Sequence, residues 1–259
     1  MSTYFLNWQD PENRAWYPVG KLFHTQDLYI FAYTKGSLRS SNFVTFGNLN
    51  DKNAVYVSNE LFPIFANRVM NSKRPDYQRY ASWAGLDSQE QSDSLKLMAR
   101  MGGGKATDNL QVYQVPERDC EDRYRTVFFA HGLSHLPSES QCRAQSLIEG
   151  QQVYPLLDIQ NPYDRSAVAI RSQDPSSLIG YCPRYLARDI NKLVKGRRNN
   201  LVITIKKVNE DAPPQFMLLC EAVGHWPLNF EPCSSPDHKT IVDLNLKQLV
   251  EKMGKNNSY

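Results

Sequence analysis

Asn161-Pro-Tyr-Asp-Arg-Ser-Ala167, followed by Val168-Ala-Ile-Arg171 and then by Ile179-Gly-Tyr-Cys-Pro-Arg184, is the stretch on which the reading of this chain turns. An Asn, an aromatic and an Asp are crowded into a turn between two apolar runs. Proline after Asn161 biases that residue toward extended backbone, and Pro162 sets one turn dihedral. Asp164 is suited to bond backbone N–H groups within the turn. Tyr163 then projects beside a strand edge, where it could stack on a base or sugar. Two readings stay open: a turn whose Asn and Asp are structural, or a turn that presents Asn161, Tyr163 and Asp164 to a ligand.

Working outward, Leu178 to Cys182 reads as a strand and Pro183 to Val194 as a helix. Gly196 to Asn200 reads as a turn, and Leu201–Val208 with Phe216–Val223 as a hairpin. Upstream, Thr126–Ala130, Val153–Leu157 and Ala167–Arg171 are strands, and a helix runs from Leu136 to Ile148. The first part opens with strand-like pieces at Tyr4–Trp8, Leu28–Tyr33 and Asn42–Phe46. Helical stretches follow Ser58, Pro75 and Ser92, and Leu110–Val115 is a further strand. Ile241 to Met253 predicts a last amphipathic helix. The aromatic residues Trp8, Trp16, Tyr17, Phe31, Tyr33 and Phe46 read as core. A short polar run, Pro116 to Asp122, marks a boundary. The expected organisation is α+β, with segments 1–118, 119–226 and 227–259.

A chain of 259 residues with 41% hydrophobic and 22% charged side chains is ordinary for a globular protein. It holds no apolar run of the ~18 residues that a membrane span needs, and no signal-peptide pattern opens it. Five scattered cysteines without CxxC spacing argue against structural zinc and a disulfide framework, so a cytoplasmic setting is expected. Metal and cofactors are not expected. Gly102-Gly-Gly-Lys105 fails as a phosphate loop, because Ala99 and Ala106 stand where Gly and Ser or Thr are needed. No triad, paired-carboxylate or nuclease-type cluster stands out, so no enzymatic activity is expected.

The net charge of +3 is unevenly spread. Eight basic residues lie between Arg184 and Lys207 with one acid, Asp189, leaving 22 basic and 26 acidic residues elsewhere. Local positive charge in an otherwise acidic chain is the footprint of a phosphate-binding surface. Arg184, Arg188, Lys192, Arg197 and Arg198 are the candidates for phosphate contact.

The set Asn161, Pro162, Tyr163, Asp164, Ala167, Gly180, Pro183 and Arg184 resembles the motif of the HIRAN domain, over about residues 126–195 and with an outer limit near 225. The resemblance implies a small β-barrel with accessory helices that binds single-stranded DNA or DNA ends. Asn161, Tyr163 and Asp164 would contact the terminal nucleotides, and His135, in the first loop, is a further candidate for DNA contact. The sequence departs from the family at Asp158-Ile-Gln160, and at Ser134 and His135 where a basic–aromatic pair is usual.

Residues 28–115 resemble the N-terminal subdomain of HipA-type toxin kinases, carried by Leu61-Phe-Pro-Ile-Phe-Ala-Asn-Arg68, Arg74-Pro-Asp-Tyr77 and Leu95 to Gly104, with no kinase body. Together the resemblances imply a bacterial or phage DNA-binding accessory protein in genome maintenance or defence. The alternative is an antitoxin or adaptor that binds a kinase-like partner through its first domain.

Overall fold

The computed structural model describes residues 1–25, 28–87, 90, 93–105, 108–196 and 201–246. The chain forms two compact units, and each is woven from separated segments. The first unit comprises residues 1–69, 102–115 and the segment from 234 onward. The second comprises residues 70–101 and 116–233. These units differ from the linear segments 1–118, 119–226 and 227–259, because two stretches return to a sheet distant in sequence.

The first unit is an antiparallel sheet of five strands, ordered β4-β3-β2-β1-β5. Its strands are β1 (Ser2–Gln9), β2 (Trp16–His24), β3 (Tyr29–Tyr33), β4 (Val55–Ser58) and β5 (Leu110–Gln114). Asp10 builds the β1–β2 turn: its Oδ1 accepts the N–H of Glu12 at 2.8 Å and of Asn13 at 3.3 Å. Gly20 is dictated by packing, since a Cβ there would sit 2.4 Å from Cε2 of Phe31. The expected strand at Asn42–Phe46 is instead a loop, whose Phe46 forms an isolated bridge to Leu49. A short helix, α1 (Pro63–Ala66), replaces the longer one expected after Ser58. Phe31 and Tyr33 are fully buried as expected, while Trp8, Trp16, Tyr17 and Phe46 are half-buried.

Residues 234–246 complete this unit rather than forming an independent extension. Lys35 N–H donates to Lys239 O and Ile241 N–H to Tyr33 O. The His238 ring sits edge-on to Phe5 at 4.8 Å. Of the expected last helix, residues 241–245 are not helical, and residues 247–253 lie outside the described residues.

The second unit is built on a sheet ordered β10-β9-β8-β11-β12-β7-β6. In chain order its elements are helices α2 (Tyr77–Trp83) and α3 (Ser94–Arg100), strands β6 (Glu117–Arg118) and β7 (Arg123–Phe129), and helix α4 (Ser138–Gln145). Strands β8 (Gln152–Leu157), β9 (Val168–Arg171) and β10 (Leu178–Tyr181), helix α5 (Arg184–Lys195), and strands β11 (Val202–Val208) and β12 (Leu218–His225) follow. All pairings are antiparallel. Strand β8 serves two neighbours, pairing with β11 at Gln152 and Val153 and with β9 from Tyr154 to Leu157.

The expected closed barrel is not formed among the described residues. The sheet curls until β10 meets the segment after β7, where the described residues form the bridge His131↔Tyr181. Gly180, at φ +144°, lets the backbones approach: a Cβ would sit 3.0 Å from Ala130 Cβ and 3.1 Å from His131 O. The core inside the curl joins Tyr124, Phe128, Val153, Val168, Ile170, Ile179, Ile190, Ile203, Leu218 and Cys220.

Helix α2 is anchored on β11 and the turn after it, and α3 packs on α2 through Leu97 against Ala81 and Ala84. Lys207 Nζ donates to Ser82 O at 2.8 Å and Oγ at 2.7 Å. Trp83 Nε1 donates to Asp211 at 2.9 Å, and Asn209 Nδ2 donates to Trp83 O at 3.0 Å. No helix among the described residues is long and apolar enough to cross a membrane.

Candidate nucleic-acid interface

The loop between β8 and β9 holds the Asn-Pro-Tyr-Asp turn. Asn161 is used from both ends of its amide. Its Oδ1 accepts the N–H of Tyr163 at 3.0 Å and of Asp164 at 3.1 Å, and its Nδ2 donates to Asp158 Oδ2 at 3.0 Å. Asp164 Oδ1 accepts the Ser166 N–H at 2.8 Å, and the Asp164 backbone carbonyl accepts that of Ala167 at 3.0 Å. The local backbone is therefore held by side chains, as turn chemistry requires of a loop without a ladder. Asn161 and Asp164 first of all build the turn. Tyr163 is what the turn presents, with 84% of its surface exposed. Ile159, on the same loop, is also exposed.

Tyr181 ties this loop to two others. Its hydroxyl donates to Asp158 Oδ2 at 3.1 Å, so Asp158 receives bonds from both Tyr181 and Asn161. Its backbone exchanges hydrogen bonds with His131 at 2.8 and 2.9 Å. Its ring lies beside Gly132, where a Cβ would sit 3.7 Å from Cδ2. Partial burial, then the bond to Asp158, push the Tyr181 phenol up from its ordinary range, so it stays a donor at neutral pH. Tyr181 and Asp158 were not among the sequence candidates; the Gly-Tyr step before Pro183 is the signal that carries Tyr181.

Helix α5 starts at this site. Arg184 Nε lies 4.0 Å from Asp164 Oδ2, and Asn191 Nδ2 reaches Ser166 O at 3.3 Å. Arg184, Arg188 and Lys192 recur every four residues, so they share one face of the helix, and all three are exposed. Arg188 and Lys192 make no ion pair or side-chain hydrogen bond among the described residues, and neither does Arg165, exposed beside Tyr163. Asp189, the acid within the basic stretch, faces inward at 2% exposure and accepts the Cys233 N–H at 2.8 Å. Burial raises its carboxyl above the ordinary range against that hydrogen bond and the nearby Lys192 and Arg188.

The basic stretch thus divides by role. Lys206 pairs with Glu221 at 3.4 Å and Lys207 holds α2, so neither joins the α5 face. Arg197 and Arg198 lie outside the described residues. His135 is exposed at the end of a short turn at Leu133–His135 and makes no side-chain hydrogen bond or ion pair among the described residues. The described residues hold no group of three or more His, Cys, Asp or Glu placed to bind a metal ion.

Among the described residues the second unit thus combines a curled antiparallel sheet, an exposed aromatic ring on the β8–β9 loop, and exposed cations on that loop and on α5. The HIRAN domain family matches residues 124–224, the span from β7 to the end of β12. That match bears out the HIRAN region read from the turn motif, out to its outer limit near 225. It leaves residues 28–115 outside, and the HipA-type likeness read there is not shown; that span is itself divided, with residues 70–101 in the second unit. The crystal structure of the HIRAN domain of human HLTF aligns with a TM-score of 0.31 and 12% identity, over 53% of this chain and 89% of that chain. A search of curated proteins returned no match.

Proposed function

We propose that this chain is a non-catalytic DNA-binding accessory protein whose HIRAN region holds single-stranded DNA or a DNA end at the Asn161–Ala167 turn. One observation carries the reading. Tyr163 is displayed almost fully to solvent by a turn whose own polar groups are satisfied, and the adjoining cations Arg165, Arg184, Arg188 and Lys192 face outward. An exposed ring on a loop held by its own hydrogen bonds is a stacking platform, and exposed cations near it suit the phosphates of the same strand. Asn161 contributes by shaping the turn, with one Nδ2 hydrogen left for a ligand. Asp164 orients Arg184, and a phosphate would compete for that arginine.

The experiment is fluorescence anisotropy with single-stranded, duplex and end-blocked DNA over a salt series. The expected result is binding to single-stranded or free-ended DNA that weakens steeply with salt, because phosphate contacts release counterions. Absence of binding to any of these at low salt overturns the proposal. The HipA-like motifs of residues 28–115 support a bacterial or phage setting in genome maintenance or defence. Through them the proposal includes a kinase-like protein partner, tested by co-purification.

A further inference from the structure

The outward face of β8, β9 and β10 carries two cross-strand rows that the turn motif does not include. Register places Tyr154 opposite Arg171, and Arg171 opposite Leu178. The next row is Leu156, Ala169 and Tyr181. Successive residues of a strand alternate between faces, and the intervening Val153, Val168, Ile170 and Ile179 all lie in the core. Tyr154, Leu156, Arg171, Leu178 and Tyr181 therefore face away from it, with Ala169 covered between Leu156 and Tyr181 at 2% exposure. Leu156 is 52% exposed, and Tyr154, Arg171 and Leu178 are half-exposed. The Arg171 guanidinium lies 5.1 Å from the centre of the Tyr154 ring, and it has no carboxylate partner among the described residues.

This face is continuous with the candidate interface. Tyr181 stands in the second row, and its hydroxyl bonds Asp158, which holds Asn161. A flat cation stacked on a ring, beside an exposed aliphatic side chain, suits a polyanion with planar bases better than it suits water. We infer that the Tyr154–Arg171 pair, with Leu156, is a second contact for a single-stranded nucleic acid, gripping nucleotides further along the strand held at the Tyr163 turn. Arg171 meets a phosphate, and the Tyr154 and Leu156 side chains support a base or sugar. This inference rests on the DNA-binding reading of the turn.

The test compares fluorescein-labelled oligothymidylates of about 4 and about 12 nucleotides, lengths that bracket a one-site and an extended contact. The native protein is expected to bind the longer strand more tightly. The double variant Tyr154→Ala/Arg171→Ala should bind the short strand as the native protein does and the long strand about tenfold more weakly. Arg171→Lys, which keeps the charge but not the stacked plane, should lose part of that increment. Equal binding of the long strand by native and double-variant protein overturns the inference while leaving the turn reading intact. An equal loss for both lengths makes the pair scaffold and also overturns it. Failure of the native protein to bind either strand, by contrast, refutes the turn reading itself.

Discussion

Both sheets bury aromatic rings, Tyr124 and Phe128 in the second among them, but the second also displays rings at its surface. In the first unit Tyr4, Phe5, Phe31, Tyr33 and Tyr113 are all at 1% exposure or less. Phe31 contacts the rings of Tyr33, Phe62 and Phe65, and Tyr33 spends its hydroxyl on Leu49 O at 2.6 Å. Burial pushes the Tyr33 phenol up to about 12. On the β8–β9 side of the second unit, Tyr163 stands clear of the protein and Tyr154 is half-exposed with the Arg171 guanidinium over its ring. Rings of the first kind stabilise a fold by removing apolar surface from water. A ring of the second kind adds little to the fold, so its placement points to something it meets.

The comparison can be broken by deleting rings from each side. Phe31→Ala should cost about 3–5 kcal/mol in denaturant unfolding, since it empties a fully buried site. Tyr163→Ala should leave the unfolding midpoint unchanged and weaken single-stranded DNA binding by about tenfold or more, the usual range for loss of one stacked base. If Tyr163→Ala unfolds the protein instead, the distinction between sealed and displayed rings collapses.

Smaller effects sharpen it. Replacing Arg184, Arg188 and Lys192 together by Ala should lower the slope of log affinity against log salt by about 2, near 0.7 for each phosphate that is no longer neutralised. An unchanged slope removes α5 from the interface. Asp158→Ala should weaken DNA binding severalfold with little change in salt slope. It frees the Asn161 amide and orphans the Tyr181 hydroxyl, a hydrogen-bond loss worth about 1 kcal/mol.

The smallest effect concerns Asp189, behind the basic face. Its folded pKa is raised by burial, so the folded protein holds that proton to higher pH than the unfolded chain does. Ionising it therefore costs stability as pH rises through the window above the unfolded value, with no further change once both states are ionised. Asp189→Asn should accordingly gain on the native protein in thermal unfolding as pH rises from about 4 toward about 7. A constant difference across that range would show that Asp189 does not titrate there.

Much of the candidate site was legible locally. The turn's chemistry is written in adjacent residues, and the exposed face of α5 follows from a four-residue spacing. The roles within the turn were not, because Asn161 and Asp164 serve either as ligand groups or as turn builders until their partners are seen. Tyr181, Asp158 and Asn161 are joined only by the β8–β9–β10 register. Lys206 and Lys207 looked like members of the basic patch, and sheet packing turned them toward Glu221 and Ser82. Asp189 looked like a charge diluting that patch, and the helix turned it inward.

By itself, the sequence determined the strands around Asn161, the HIRAN motif and the basic periodicity of α5, because each depends on residues near one another in the chain. Tertiary structure alone decided that residues 70–101 pack on the second sheet and residues 234–246 on the first. It also decided that, among the described residues, the curled sheet meets itself through the His131↔Tyr181 bridge, and that Tyr154 and Arg171 share a face with Tyr181. These are long-range pairings, fixed by which apolar surfaces and hydrogen-bonding edges can be buried together, and no local pattern encodes that choice.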